Sequence, residues 1–353
     1  MKSRSLGCIL KPLTKHPGFT LTEILIALCL GSILITLSIQ LFLSVKQINQ
    51  YQQGIARIQE NMQTASILLG QWIRSAGDYG CNRMDAHRVL NIIGNIDANH
   101  LGINKSQSIQ PLSINFLVGN PYFSNYALSR YKMGTDLLWI KRVSRFYPLN
   151  DYTEATDGTV KVIGNPRYRK GDILFLSDCQ HIDVAMVTQD VNTPLPRLET
   201  TIHINTNTDS SESKLSKRYS PSASLGKFES IIFYIADTLR KNQRGHSIYA
   251  LFSTDMNGRT LELIEGVEAM QISVCCQPAE PTELKETSVC YQSEHWQTEC
   301  LIQSVQVDLL LTSVEDVLQA PLEYTMNQLK VKPQDRILRK WWSEQWAVRS
   351  AIQ

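Results

Sequence analysis

The feature that most constrains the fold is a long apolar segment near the N-terminus. From Phe19 to Val45 the chain contains a single charged side chain, Glu23. A helix of this length extends about 40 Å, whereas the hydrocarbon core of a bilayer is about 30 Å thick. The segment is longer than the apolar core of an ordinary signal peptide, and no small-residue cleavage site follows it. We therefore predict a membrane-spanning helix.

The charges around this segment predict its orientation. Four basic residues and no acidic residue precede it, namely Lys2, Arg4, Lys11 and Lys15. Basic residues stay on the cytoplasmic side of a membrane, so everything after Lys46 is predicted to be translocated. The net charge of the whole chain is only +2, which excludes a strongly basic nucleic-acid-binding protein, and no nucleic-acid partner is predicted.

Two residues distinguish this segment from a plain signal anchor, which is the simpler alternative. Gly18 lies directly before the apolar run, and Glu23 lies just inside it. A carboxylate in the bilayer costs about 2.5 kcal/mol or more unless it is paired. Because no Lys, Arg or His follows within the span, we expect its partner to come from another chain.

Residues 17–37, with the sequence PGFTLTEILIALCLGSILITL, resemble the class III signal of type IV prepilins and type II secretion pseudopilins. In that family a membrane aspartyl peptidase cleaves after the glycine and methylates the new N-terminal phenylalanine. The resemblance implies cleavage between Gly18 and Phe19 and methylation of Phe19. It also implies that Glu23 acts in assembly, by pairing with the new α-amine of Phe19 on a neighbouring subunit.

Helical periodicity continues beyond the membrane segment. Apolar or small residues recur every seven positions from Ile48 to Ala76, and a second row runs from Tyr51 to Trp72. This pattern predicts an amphipathic helix to about Ser75. Its apolar stripe suits either a dimeric coiled coil or packing on a downstream sheet, and the β-rich sequence that follows favours packing. Gly31 and Gly54 are positions where the helix could bend or loosen.

After Gly77 the pattern changes to short, often alternating apolar runs separated by turn residues, which predicts antiparallel strands. The predicted strands are 113–118, 136–143, 159–164, 172–178, 182–189, 200–205, 228–237, 247–254, 259–264, 269–276 and 304–314. A turn is predicted at 255–260, in preference to a calcium loop. The fold class is therefore α+β, with a long N-terminal helix packed on an antiparallel sheet and a large β-rich head.

Two other segments have distinctive compositions. Residues 206–227 are polar and Ser-rich, which predicts a flexible loop or linker, either between two β lobes or inserted in one. Residues 335–353 are basic and contain Trp341, Trp342 and Trp346. These tryptophans form either a contact with a partner or a last segment facing the core.

Patches of the head resemble PilW-type minor pilins, which are related to the J-type minor pseudopilins of type II secretion. The matching patches are 57–81, 171–187, 264–274, 304–314 and 346–352. The resemblance implies a pilin-like fold made of a leader (1–18), a membrane and fibre-core half-helix (19–45), an amphipathic half-helix (46–76) and a periplasmic head (77–353).

The same resemblance implies a minor pilin that primes type IV pilus assembly. Its large head fits the fibre tip better than a repeating shaft. The implied location is the inner membrane, as a single-pass protein with a periplasmic C-terminal part, and then the pilus. The implied partners are the prepilin peptidase, other minor pilins, the major pilin and the inner-membrane assembly platform, with a tip adhesin as a further candidate. The alternatives are a pseudopilin of type II secretion and a membrane-anchored periplasmic binding or sensor protein.

Of the eight cysteines, Cys8 lies in the leader and Cys29 in the membrane span. The six in the translocated part are Cys81, Cys179, Cys275, Cys276, Cys290 and Cys300. An even number in an oxidising compartment predicts up to three disulfides. The resemblance supports a Cys81–Cys179 bond. We expect Cys275 and Cys276 to pair locally with Cys290 and Cys300, in preference to a zinc site that includes His295.

The sequence offers no catalytic constellation. It contains no GxSxG, phosphate-binding loop or HExxH, and no CxxC. His181 and Asp183 alternate on one predicted strand, where a solvated face is favoured over an ion site. We therefore predict that the protein is not an enzyme and has no cofactor.

Overall fold

The computed structural model describes residues 18, 20–80, 89–94, 96, 112–114, 128, 130–154, 158–178, 180–191, 199–205, 214–277, 289–292, 301–326 and 329–348. The chain divides into two compact units, Met1–Gln53 and Gly54–Gln353. One continuous helix, α1 (Leu21–Arg74), contributes residues to both.

The strands in chain order are β1 (Val89–Ile92), β2 (Leu112–Ile114), β3 (Leu138–Pro148), β4 (Thr159–Ile163), β5 (Ile173–Ser177), β6 (His181–Met186), β7 (Glu199–His203), β8 (Ser224–Lys241), β9 (Ser247–Asp255), β10 (Thr260–Glu265), β11 (Val267–Gln277), β12 (Val289–Gln292), β13 (Leu301–Asp316), β14 (Tyr324–Met326), β15 (Leu329–Val331) and β16 (Ile337–Ala347). A long apolar helix followed by a large, mostly antiparallel β-sheet region confirms the α+β class.

In the first unit, the apolar side chains of α1 are exposed from Leu21 onward. The few hydroxyls of this segment bond to the helix itself. Ser32 donates to the carbonyl of Cys29, and Thr36 donates to that of Ser32, each at 2.8 Å. Polar groups that are satisfied within the helix are compatible with a hydrocarbon environment, where water cannot replace the bond.

The second unit is built around the 18-residue strand β8. The first half of β8, up to Phe233, pairs with β3, and its first four residues also pair with β5. Its second half, from Ile231, pairs with β9. The resulting eight-stranded sheet has the order β1-β6-β5-β8-β3-β2, and β10 is added beside β9. All described pairings in this sheet are antiparallel except that of β1 with β6.

A second sheet of four strands, in the order β12-β11-β13-β16, completes the main core. The part of α1 in this unit packs on both sheets. The helical residues in this core are Ile58, Ala65, Leu69 and Ile73, followed by Ala76. They meet Leu138 and Phe233 of the large sheet and Val305 and Leu309 of the small one. From Ile58 onward, the apolar stripe predicted from the sequence is therefore covered by the protein's own sheets, whereas Ile48 and Tyr51 at its start are exposed.

Two glycines let α1 approach these sheets closely. A Cβ atom at Gly54 would lie 3.0 Å from Cβ of Ser313, and one at Gly70 would lie 2.6 Å from Nε1 of Trp346. Gly54 lies inside the continuous helix, where the absence of a side chain permits this close packing.

The β9–β10 hairpin has the predicted turn. The Asp255 carboxylate accepts the amides of Asn257 and Arg259, each at 2.9 Å. Gly258 has φ of 75°, a left-handed conformation that glycine adopts without strain.

The prediction of a flexible loop over 206–227 is wrong for its second half. Leu215 and Tyr219 are buried in a satellite core with β4, β5, β6 and β7, and β8 already begins at Ser224. The sequence analysis did not identify Leu215 and Tyr219 as core residues because serines surround them and make the segment polar on average. Residues 206–213 lie outside the described part of the chain.

The C-terminal tryptophans belong to β16, which pairs along most of its length with β13. Trp346 is buried, and Trp342 packs against the main core. The indole of Trp341 donates to the carbonyl of Thr325 at 2.6 Å. Of the two roles considered for this segment, the structure gives it the core-facing one.

Candidate functional site

Gly18 and Thr20 lie at the entrance to α1. Gly18 is exposed, and a side chain at this position would meet no atom within 4 Å. An exposed, unobstructed backbone is what a peptidase requires of its cleavage site. Phe19, the residue predicted to be methylated, lies outside the described residues.

Glu23 and Thr20 form a capping box at the start of α1. The amide of Glu23 donates to Oγ1 of Thr20 at 3.3 Å, and the amide and hydroxyl of Thr20 donate to Oε2 of Glu23, each at 2.9 Å. This reciprocal arrangement satisfies backbone amides that a helix otherwise leaves without partners. The carboxylate also lies at the positive end of the helix dipole.

Sequence reasoning missed this local role of Glu23, although the pattern Thr-x-x-Glu directly before an apolar run would have indicated it. The hydrogen bonds from Thr20 solvate the carboxylate but do not neutralise its charge. A cation is therefore still required if this end of the helix enters a bilayer.

Within the described residues, α1 is the one helix long and apolar enough to cross a membrane. It begins at Leu21, so Glu23 lies in its first turn. This agrees with the predicted N-terminal membrane segment, as either an anchor or a signal.

The disulfide expected among the later cysteines is present. Cys275 bonds to Cys290, which lies directly opposite it on the neighbouring strand. Cys276 is also disulfide-bonded. A zinc site that uses the thiolates of both Cys275 and Cys290 is incompatible with this bond, because their sulfurs are joined to each other. Cys81, Cys179 and Cys300 lie outside the described residues, and Cys29 is a free, exposed thiol in the helix.

His181 and Asp183 do not share a solvated strand face. Asp183 is fully buried and accepts the amide of Ser216 at 2.8 Å and its hydroxyl at 3.1 Å. Burial raises the pKa of Asp183, although the hydrogen bonds from Ser216 oppose the shift. The Asp183 carboxylate thus holds the segment around Ser216 against the satellite core. Composition had predicted that this segment belongs to a flexible loop.

No group of three or more His, Cys, Asp or Glu side chains placed to hold a metal occurs among the described residues. Among the described residues, His181, His203 and His246 therefore do not belong to a metal site.

The chain matches no protein-family model, no curated protein and no solved structure. Its function must be argued from its own residues.

Proposed function

We propose that the protein is a minor pilin that primes type IV pilus assembly, with a structural and not a catalytic role. The observation that carries this proposal is the start of α1. An exposed glycine, a capped carboxylate in the first helical turn and a run of exposed, mostly apolar side chains without further charge to Val45 follow one another there. These are the parts that the prepilin resemblance requires, in the required order.

The physical mechanism proceeds from cleavage to assembly. Removal of residues 1–18 creates an α-amine on Phe19, next to the capping box. Glu23 carries a negative charge that Thr20 solvates without neutralising. A neighbouring subunit's amine supplies the missing cation, and a low dielectric strengthens the pair. The pairing sets the axial register between subunits, while the apolar half of α1 exchanges lipid contacts for subunit contacts.

Leader processing is the first test. Intact-mass analysis of protein from cells with the prepilin peptidase should find a chain that begins at N-methylated Phe19. Cells that lack the peptidase should contain the full-length chain. Gly18→Val should block cleavage, whereas Gly31→Val, at a glycine inside the helix, should not. A mature chain that keeps residues 1–18 in peptidase-positive cells would favour the membrane-anchored sensor.

The role of Glu23 is tested separately from its capping role. Glu23→Val should leave membrane insertion intact but reduce pilus initiation, because the cation of the neighbour loses its partner. Thr20→Val is the matched control, since it weakens the cap and keeps the carboxylate, and it should largely preserve initiation. Pilus counts by electron microscopy provide the measurement. Normal piliation in the Glu23→Val strain would contradict the pairing.

A further inference from the structure

A cleft of about 860 Å³ lies in the second unit, between the end of α1, β3 and the segment that precedes β5. Four cationic side chains line it, and Glu229 is the acidic residue among its described lining. The cations are Arg142, Arg145, Arg167 and Lys227. This volume is within the range of small-molecule sites, about 300–1,000 Å³.

Two of the cations hold the walls of the cleft. Arg142 pairs with Glu229 at 2.9 Å and stacks over Trp72, with its guanidinium carbon 3.6 Å from the ring centroid. Lys227 pairs with Asp172 at 2.7 Å. These contacts fix the geometry of the walls, and they largely compensate the charges of Arg142 and Lys227.

The other two cations form no ion pair among the described residues. Arg145 and Arg167 are exposed, and neither has an ion-pair partner within the described part of the chain. Arg145 has φ of 44°, an unfavourable left-handed conformation for a residue with a side chain. It lies where β3 bulges between Ser144 and Tyr147. Such bulges redirect side chains, and they are frequent beside binding sites.

Tyr168 also lines this cleft, and its hydroxyl is buried. Tyr168 is only 5% exposed, and its hydroxyl has no hydrogen-bond partner among the described residues. Its ring meets that of Tyr147 edge to face, with centroids 6.4 Å apart. Buried hydroxyls are normally paired, so this one indicates a missing partner that can accept or donate a hydrogen bond.

We propose that this cleft binds an acidic saccharide. Planar guanidinium groups at Arg145 and Arg167 match the oxygens of a carboxylate or a phosphate. The Tyr168 hydroxyl provides a buried hydrogen bond, and the half-buried ring of Tyr147 provides a face against which a sugar ring can lie. Val143 is the aliphatic residue among the described lining, so the cleft lacks the apolar anchors that a peptide segment needs.

The test uses the full processed chain in detergent micelles and calorimetric titration. The probes are a uronate trisaccharide, a phosphorylated trisaccharide, a neutral trisaccharide of the same linkage and penta-glutamate. We expect one of the two acidic saccharides to bind at least about tenfold more tightly than the neutral one, since a charge-assisted pair is lost in the latter. The better acidic probe identifies the acid group.

Variants then locate the site. Arg145→Ala and Arg167→Ala should each weaken binding about tenfold, and Tyr168→Phe about fivefold, without lowering the unfolding temperature. Arg169→Ala is the matched control, because it removes the same charge from the same segment outside the cleft lining, and it should change the affinity less than twofold.

The proposal is overturned by absence of binding of both acidic saccharides, by equal binding of the neutral probe or by tighter binding of penta-glutamate. An Arg169→Ala loss equal to that of Arg167→Ala would also overturn it, since the attraction would then be a general surface charge.

Discussion

At Gly70 of α1, the indole of Trp346 lies where a side chain would otherwise project. Alanine has a higher helix propensity than glycine by about 1 kcal/mol, but the added methyl would lie 2.6 Å from a buried ring. Overpacking of this kind costs about 1–3 kcal/mol. Gly70→Ala should therefore lower the unfolding temperature of the second unit, as measured by near-ultraviolet circular dichroism.

Gly31→Ala provides the matched control for this prediction. It is the same substitution in the same helix, and its methyl group would meet no atom within 4 Å. The second unit should unfold at an unchanged temperature in that variant. If Gly70→Ala behaved in the same way, Trp346 would not be closely packed on the helix.

Glu23 shows what residue-level reasoning can and cannot predict. Its position as the single charge in an apolar run was visible in the sequence, because composition alone isolates it. The contacts with Thr20 depend on where the helix begins, and helix ends are difficult to locate from sequence. The same limit applies to Asp183. Its alternation with His181 was visible in the sequence, but its burial depends on the segment near Ser216, which is distant along the chain.

At the scale of elements, packing should hold α1 to the sheets far more strongly than its ion pair does. Leu69 is fully buried in the main core, whereas the Arg57–Glu265 pair is substantially exposed. Leu69→Ala should lower the free energy of unfolding by about 2–5 kcal/mol, because it leaves a cavity. Arg57→Ala should cost about 1 kcal/mol or less. Denaturant unfolding of the two variants in parallel provides the measurement, and comparable losses would show that the ion pair is the main attachment.

Strand prediction succeeded where apolar side chains are concentrated in a local run. The run at 228–237 lies inside β8, and the run at 304–314 lies inside β13. It missed β16 as a strand because Arg, Lys, Ser, Glu and Gln interrupt its tryptophans, and β13 supplies its pairing from far along the chain. The helical stripe was predicted in outline, but Gly54 and Gly70 were not counted as contacts because glycine has no apolar side chain.

At the scale of the whole molecule, the two units differ in what stabilises them. Gly54 is the first buried residue of α1, and every described residue before it from Thr20 is exposed or half-exposed. The buried clusters of the second unit draw on residues from Ile58 onward. The sequence predicted an apolar half-helix up to Val45 and an amphipathic half-helix from Lys46, because Glu23 is the only charged residue between Phe19 and Val45.

A chain that begins at Gly54 should therefore fold without the membrane segment. We expect residues 54–353, expressed in an oxidising periplasm, to be soluble without detergent. They should unfold within about 5 °C of the full chain, since every described core residue is retained.

Residues 77–353 serve as the control, because they lack Ile58, Leu69 and Ile73 and leave the facing sheet residues uncovered. That shorter chain should aggregate or lose its cooperative transition, since exposure of a contiguous apolar surface of this kind favours association. Equal behaviour of the two truncations would mean that the second half of α1 is not part of the core, and insolubility of residues 54–353 alone would mean that the first half is needed for folding.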